Sequence, residues 1–118
     1  MSTNESVAVA WAAGLANGDL MALAPLTSPN MRVWHSTDGL WLTAAESQAR
    51  MAQAAQSAPA AMPGFEEVRS HPTPTGFVIQ ATMNYPGAPP THIAQVCTVE
   101  NGVVVACEEY IAAQTAAP

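Results

Sequence analysis

Residues 32–39, Arg-Val-Trp-His-Ser-Thr-Asp-Gly, set an imidazole three positions before a carboxylate, where a β-type run gives way to a turn. Imidazole is the side chain whose ordinary pKa lets it both take and give a proton near neutrality. A carboxylate on its second ring nitrogen would fix the tautomer. His35 is therefore a candidate acid/base group, with Asp38 as its orienting partner. The plain alternative is that His35 packs against Trp34 while Asp38 serves the Asp-Gly turn. Glu109 is the second candidate. A period of two places it on one strand face with Val105, Cys107 and Ile111, and a carboxyl among apolar groups is suited to proton transfer. The opposite phase would turn Glu108 inward instead.

Asn101-Gly102 bears on that choice, because a type I′ hairpin needs positive φ at both central residues. With a strict two-residue loop, Glu100 pairs with Val103 and Gln95 shares a face with Glu108. A bulge would reverse this and set Gln95 beside Glu109. Under the strict pairing Cys97 and Cys107 emerge on different faces, so both are expected to be free thiols. The remaining imidazoles, His71 and His92, stand at strand ends and read as surface residues. They lack the spacing of a metal pair, and no metal site is expected.

The elements that position these groups can be read in order. Ser2 and Glu5 form a capping box before Val7, Trp11 and Leu15 at helical spacing, and Asn17-Gly18 ends that helix. Asp19 is placed to cap a short helix through Leu20, Leu23 and Leu26, disturbed by Pro25. Residues 31–34 read as a short strand and residues 35–42 as a turn. Thr43 and Glu46 form a second capping box, opening an Ala-rich helix that Pro59 and Pro63-Gly64 end, with an Ala/Pro linker before the strands. Residues 65–71, 76–85, 91–100 and 103–111 then alternate like strands of an antiparallel meander, and residues 112–118 read as a tail. Trp11, Trp34, Trp41, Phe77, Met83 and Tyr85 would line or fill the space between helices and sheet.

The chain has 118 residues, 49% of them hydrophobic, so residues 1–118 read as one domain with a real core. Three Arg and no Lys against nine acidic residues give a net charge of -6, which disfavours nucleic acid and anionic membrane surfaces as partners. With no apolar run of spanning length and no cationic leader, the expected compartment is the cytoplasm.

The order of elements, residues 11–23 (Trp-Ala-Ala-Gly-Leu-Ala-Asn-Gly-Asp-Leu-Met-Ala-Leu), residues 31–39 and the ending Glu-Asn-Gly-Val-Val-Val-Ala-Cys-Glu-Glu-Tyr-Ile resemble the SnoaL-like and steroid isomerase-like branch of the nuclear transport factor 2 fold. The resemblance implies an α+β cone: a curved, mostly antiparallel sheet wrapped around about three N-terminal helices, with an apolar pocket and a homodimer through the outer sheet face. It aligns Trp11 with the Tyr that donates to an oxyanion in steroid isomerases, His35 with their proton-moving Asp, and Gln95 with their second donor. Trp11 and Gln95 are thus candidate substrate-binding residues. Three departures at three positions disfavour a true steroid isomerase. Glu109 before Tyr110 is similar to the acid of the limonene epoxide hydrolases, although residues 92–99 lack the Arg and Asp partners of that group. The expected function is cofactor-independent acid/base catalysis by His35, Asp38 and Glu109 on a small hydrophobic molecule: isomerisation, cyclisation, dehydration or epoxide hydrolysis. The alternative is a non-catalytic ligand-binding or assembly protein of the same fold.

Overall fold

In the computed structural model, which describes residues 2–57, 64–85 and 87–115, the first capping residue does its expected work. Ser2 Oγ accepts the Glu5 amide at 3.1 Å and opens α1, Thr3–Ala16. Every third or fourth residue of α1 then falls on one face, so that Val7, Ala8, Trp11, Gly14 and Leu15 are buried together. Asn17 and Gly18, the latter at φ +66°, end the helix. The following turn is a 3-10 helix, Leu20–Leu26, with Pro25 inside it. Asp19 does not cap it through its side chain. The carboxylate is not needed there, since the Asp19 carbonyl accepts the Ala22 amide at 3.1 Å.

Strand β1 covers Thr27–His35, longer than the sequence suggests, and β2 is Trp41–Thr43. The sequence places residues 41 and 42 in a turn and residue 43 at a helix cap. They instead pair antiparallel with β1, Trp34 against Trp41 and Arg32 against Thr43, and Arg32 lies over the Trp41 ring at 5.2 Å. The second capping box forms in full: Thr43 N–H donates to Glu46 at 3.1 Å and Glu46 N–H donates to Thr43 Oγ1 at 3.2 Å. It opens α2, Ala44–Ser57. The Ala/Pro linker of residues 58–63 lies outside the described residues, as do residues 116–118 of the expected tail.

Four long strands follow: β3 (Gly64–Thr73), β4 (Gly76–Asn84), β5 (Thr91–Glu100) and β6 (Val103–Ala113), the last taking two residues from the expected tail. They form the antiparallel meander, and β1 joins it parallel to β6, giving the order β2-β1-β6-β5-β4-β3 in one mixed sheet. Gly76 is required where β4 begins, because a Cβ there would run into the Cys97 carbonyl. α1 packs on the inner face, joining Val7, Ala8, Trp11 and Leu15 to Phe77, Ile79, Ala81, Met83, Ile93, Cys97, Val104 and Cys107 in one apolar cluster. Trp11 meets Phe77 with ring centroids 6.0 Å apart. Phe65 packs against the edge of the cluster, but three of the aromatics expected here do not line this space. Trp41 and Tyr85 are exposed, and Trp34 packs on Tyr110 on the opposite sheet face at 5.2 Å.

The hairpin between β5 and β6 decides which side chains of the two strands meet. Asn101 and Gly102 have φ of 52° and 78°, and Glu100 pairs with Val103 as a two-residue loop demands. Val99 then pairs with Val104 but Thr98 pairs with Ala106, so Val105 is one residue extra on β6. Beyond this bulge every side chain of β6 changes its partner. Gln95 stands opposite Glu109, and Cys97 stands opposite Cys107. The expectation that the two sulfurs sit on different faces is therefore overturned: they are buried free thiols with Sγ atoms 3.5 Å apart. Burial and the shared S–H···S bond push the Cys107 thiol up, its hydrogen bond with Cys97 being the larger cause.

Candidate functional site

Strand register assembles the site. His35 on β1 pairs with Glu109 on β6, Glu109 pairs with Gln95 on β5, and Gln95 pairs with Ile79 on β4. These side chains form a row across four strands on the face that α1 covers, with Trp11 reaching down from the helix. The Trp11 indole Nε1–H donates to Gln95 Oε1 at 3.0 Å. The Gln95 amide Nε2–H donates to Glu109 Oε2 at 2.7 Å. Glu109 Oε1 lies 3.8 Å from His35 Nε2. Exposure rises along the row, from 5% for Trp11 and 7% for Gln95 to side-chain values of 16% for Glu109 and 24% for His35. The buried end is fully bonded and the ionisable end meets solvent.

The loop after His35 fixes that end. The Gly39 amide donates to the His35 carbonyl at 2.8 Å, with Gly39 at φ +68°. Ser36 donates its own amide to the Glu109 carbonyl at 2.9 Å, and its Oγ accepts the Ile111 amide at 2.9 Å. Ser36 thus clamps β6 on both sides of Tyr110 and holds Glu109 in register beside His35. No local signal marks this role for Ser36, since its partners are more than seventy residues away.

Asp38 is placed differently from the expectation that it orients His35. Its Oδ1 accepts the Leu40 amide at 3.0 Å and its Oδ2 accepts from Arg50 at 2.9 Å. The Leu40 hydrogen bond first, and then the Arg50 guanidinium, hold its carboxyl below the ordinary value. A carboxylate three residues along a turn bends back onto its own backbone more readily than onto the preceding strand, forming an Asx-type turn. Asp38 therefore ties the loop to α2, and the carboxylate beside His35 is Glu109.

On the other sheet face Tyr110 donates its hydroxyl to Glu108 at 2.9 Å, so Glu108 points away from the row. His71 and His92 are exposed, bonded to Gln80 and Gln114 at 3.0 Å each. Among the described residues, no three His, Cys, Asp or Glu side chains converge to hold a metal. Surface depressions of about 250 and 400 Å³ are lined by residues of β3 to β6 and Ser36, and neither includes Trp11, Gln95, Glu109 or His35.

No protein-family model matches this sequence, and no curated protein does. Solved structures do match over nearly the whole chain. An NTF-2 like protein of unknown function from Burkholderia xenovorans is 19% identical, with 98% of this chain and 88% of that chain covered at a TM-score of 0.75. A candidate ketosteroid isomerase from Kribbella flavida is 12% identical, with 98% and 82% covered at 0.74. An LEH-like epoxide hydrolase of M. tuberculosis is 13% identical, with 93% and 83% covered at 0.66. With this strand order, the helix on the inner face and these likenesses, the chain has the cone fold of the nuclear transport factor 2-like proteins.

Proposed function

We propose that this protein is a cofactor-independent acid/base enzyme acting on a small, largely apolar molecule, with Glu109 and His35 as the catalytic residues. One observation carries the reading: Glu109 is held from behind by Gln95 through one oxygen at 2.7 Å, while its other oxygen faces the His35 imidazole at 3.8 Å where the row opens to solvent. A carboxylate fixed on one side keeps its second oxygen aimed, which is what proton abstraction needs. The separation from His35 slightly exceeds a direct hydrogen bond. Glu109 Oε1 takes a proton from a C–H acid, a hydroxyl or an attacking water, and His35 gives a proton to the oxygen that gains charge or receives it back in the next step. Isomerisation, cyclisation, dehydration and epoxide hydrolysis all fit this exchange. The epoxide hydrolase and candidate ketosteroid isomerase that share the fold support a catalytic reading, as fold-level analogy.

Trp11 and Phe77 fill the base of the cone, and that observation favours a second reading. Here the row would only anchor one polar group of a bound hydrophobe, without turnover. A panel of small epoxides, lactones and enones, followed by product analysis by mass spectrometry, separates the two. Turnover supports the enzyme, whereas saturable binding with no product on any member supports the binder.

In the same reading the protein is a cytoplasmic homodimer of a single domain. Val96 and Tyr110 are 42% and 45% exposed on the outer face of adjacent strands, beside Trp34, and a second copy would cover them. Sedimentation at micromolar concentration should give twice the chain mass, and Val96→Glu with Tyr110→Glu should return it to the monomer.

A further inference from the structure

From the donor and acceptor chemistry of the row, we infer that Trp11 is a positioning residue: through Gln95 it selects Oε1 of Glu109 as the oxygen that exchanges protons. The inference rests on Glu109 being the acid/base group, and it replaces direct contact of Trp11 with substrate. An indole has one N–H and no acceptor. Whatever Trp11 bonds must therefore present an oxygen, and the group it bonds is Gln95 Oε1, at 3.0 Å in a buried setting. Once the amide oxygen is committed to Trp11, the amide NH₂ is left facing Glu109 and can only donate. Glu109 Oε2, at 2.7 Å from it, can then only accept. A proton taken up by Glu109 has one place left, Oε1, the oxygen 3.8 Å from His35.

The direction of this relay follows from which group has freedom. Gln95 could present either end of its amide to Glu109, since a protonated carboxyl can donate to an amide oxygen as well as accept from an amide N–H. Trp11 has no such freedom. A hydroxyl at its position would both donate and accept and would leave the amide free to turn over. The indole prevents this at every stage of a proton-transfer cycle, so Oε2 stays an acceptor when Oε1 gains or loses its proton. The packing of the indole on Phe77 at 6.0 Å holds its ring in place. The indole N–H is thus occupied before any ligand arrives.

The test needs no substrate. Side-chain ¹⁵N spectra of the full-length protein are recorded for wild type, Trp11→Phe, Gln95→Met and Glu109→Gln, with melting curves as a check of folding. Trp11→Phe keeps a ring against Phe77 and removes only the N–H. In wild type one Gln95 amide proton should be shifted downfield by the carboxylate. Trp11→Phe should weaken that shift, because the amide oxygen loses the donor that holds it and the amide is freer to turn. Gln95→Met should speed hydrogen exchange of the Trp11 indole about tenfold, the protection one ordinary hydrogen bond gives. Glu109→Gln should leave the indole protected if Trp11 sets the order. A folded Trp11→Phe variant with unchanged Gln95 amide protons overturns the inference, as does an indole that loses protection in Glu109→Gln. If these spectra behave as expected but Glu109→Gln turns over panel substrates like wild type, the relay stands and the acid/base reading fails.

Discussion

Replacing Gln95 by Leu removes the one group that both ends of the buried row depend on, and its cost can be worked from the geometry. The Trp11 N–H, 3.0 Å from Gln95 Oε1 on a residue only 5% exposed, loses its acceptor and cannot reach water. An orphaned buried donor costs about 1–3 kcal/mol. Glu109 also loses a hydrogen bond, but at 16% side-chain exposure it can exchange the amide for water, so this loss is about 0.5–1 kcal/mol. Leu gains apolar burial in the same space, offsetting about 1 kcal/mol. The net destabilisation is about 2 kcal/mol, which for a domain of this size lowers Tm by about 8 °C, at about 4 °C per kcal/mol. Circular dichroism melts at pH 7, with urea unfolding for the free energy, measure it directly. A Gln95→Leu variant with a Tm within about 2 °C of wild type, or above it, would mean that Trp11 and Glu109 do not rely on this amide.

Other substitutions test other parts of the account. Gly76→Ala should destabilise by about 3 kcal/mol or more, because the new methyl meets the Cys97 backbone carbonyl, which cannot rotate away; urea unfolding would show it, and a neutral result would place β4 differently against β5. Asp38→Asn should remove stability at neutral pH but not in acid. Its carboxyl is depressed by the Leu40 amide and Arg50, so its contribution is present above the ordinary carboxylate value and lost as pH falls through the depressed one; equal differences between wild type and variant at pH 7 and pH 2 would refute this. Cys97 and Cys107 should both titrate as thiols in the unfolded, unreduced protein and label slowly with iodoacetamide when folded, because both are buried and the Cys107 thiol is pushed up. Diamide should join them within one chain, reading as a loss of two hydrogens by mass, since they face each other across the strands at 3.5 Å; mixed disulfides between chains would contradict the pairing.

The local signals in the sequence were strong where short-range chemistry decides the outcome. Both capping residues, the Asn17-Gly18 stop and the Asn101-Gly102 hairpin act as their side chains and φ preferences require. The presence of His35, Glu109, Gln95 and Trp11 in one row was only half legible. Their types marked them, but bringing Gln95 and Glu109 together depends on the Val105 bulge. Nothing in the run Val103, Val104, Val105 distinguishes the residue that is extruded, because three identical side chains give alternation no mark. The Asp38 partner is hidden from the sequence for a related reason. Arg50 lies twelve residues away beyond β2 and reaches the loop only once α2 has folded back. Residues 41–43 form a strand because β1 offers them an edge, a tertiary effect that propensity cannot report.

The most direct test of Glu109 as the working carboxylate compares it with its neighbour. Glu108 and Glu109 are adjacent and chemically identical, but the bulge directs Glu109 to Gln95 and His35 and leaves Glu108 to Tyr110 on the other face. Rates for Glu108→Gln and Glu109→Gln are measured on the panel member that wild type turns over fastest. The account predicts that Glu109→Gln loses about 10²- to 10⁴-fold in kcat, as removal of a positioned acid/base group does, and that Glu108→Gln stays within about twofold of wild type, because its side chain lies on the opposite sheet face from the row. Equal losses in the two variants, or a Glu109→Gln enzyme as fast as wild type, would contradict it.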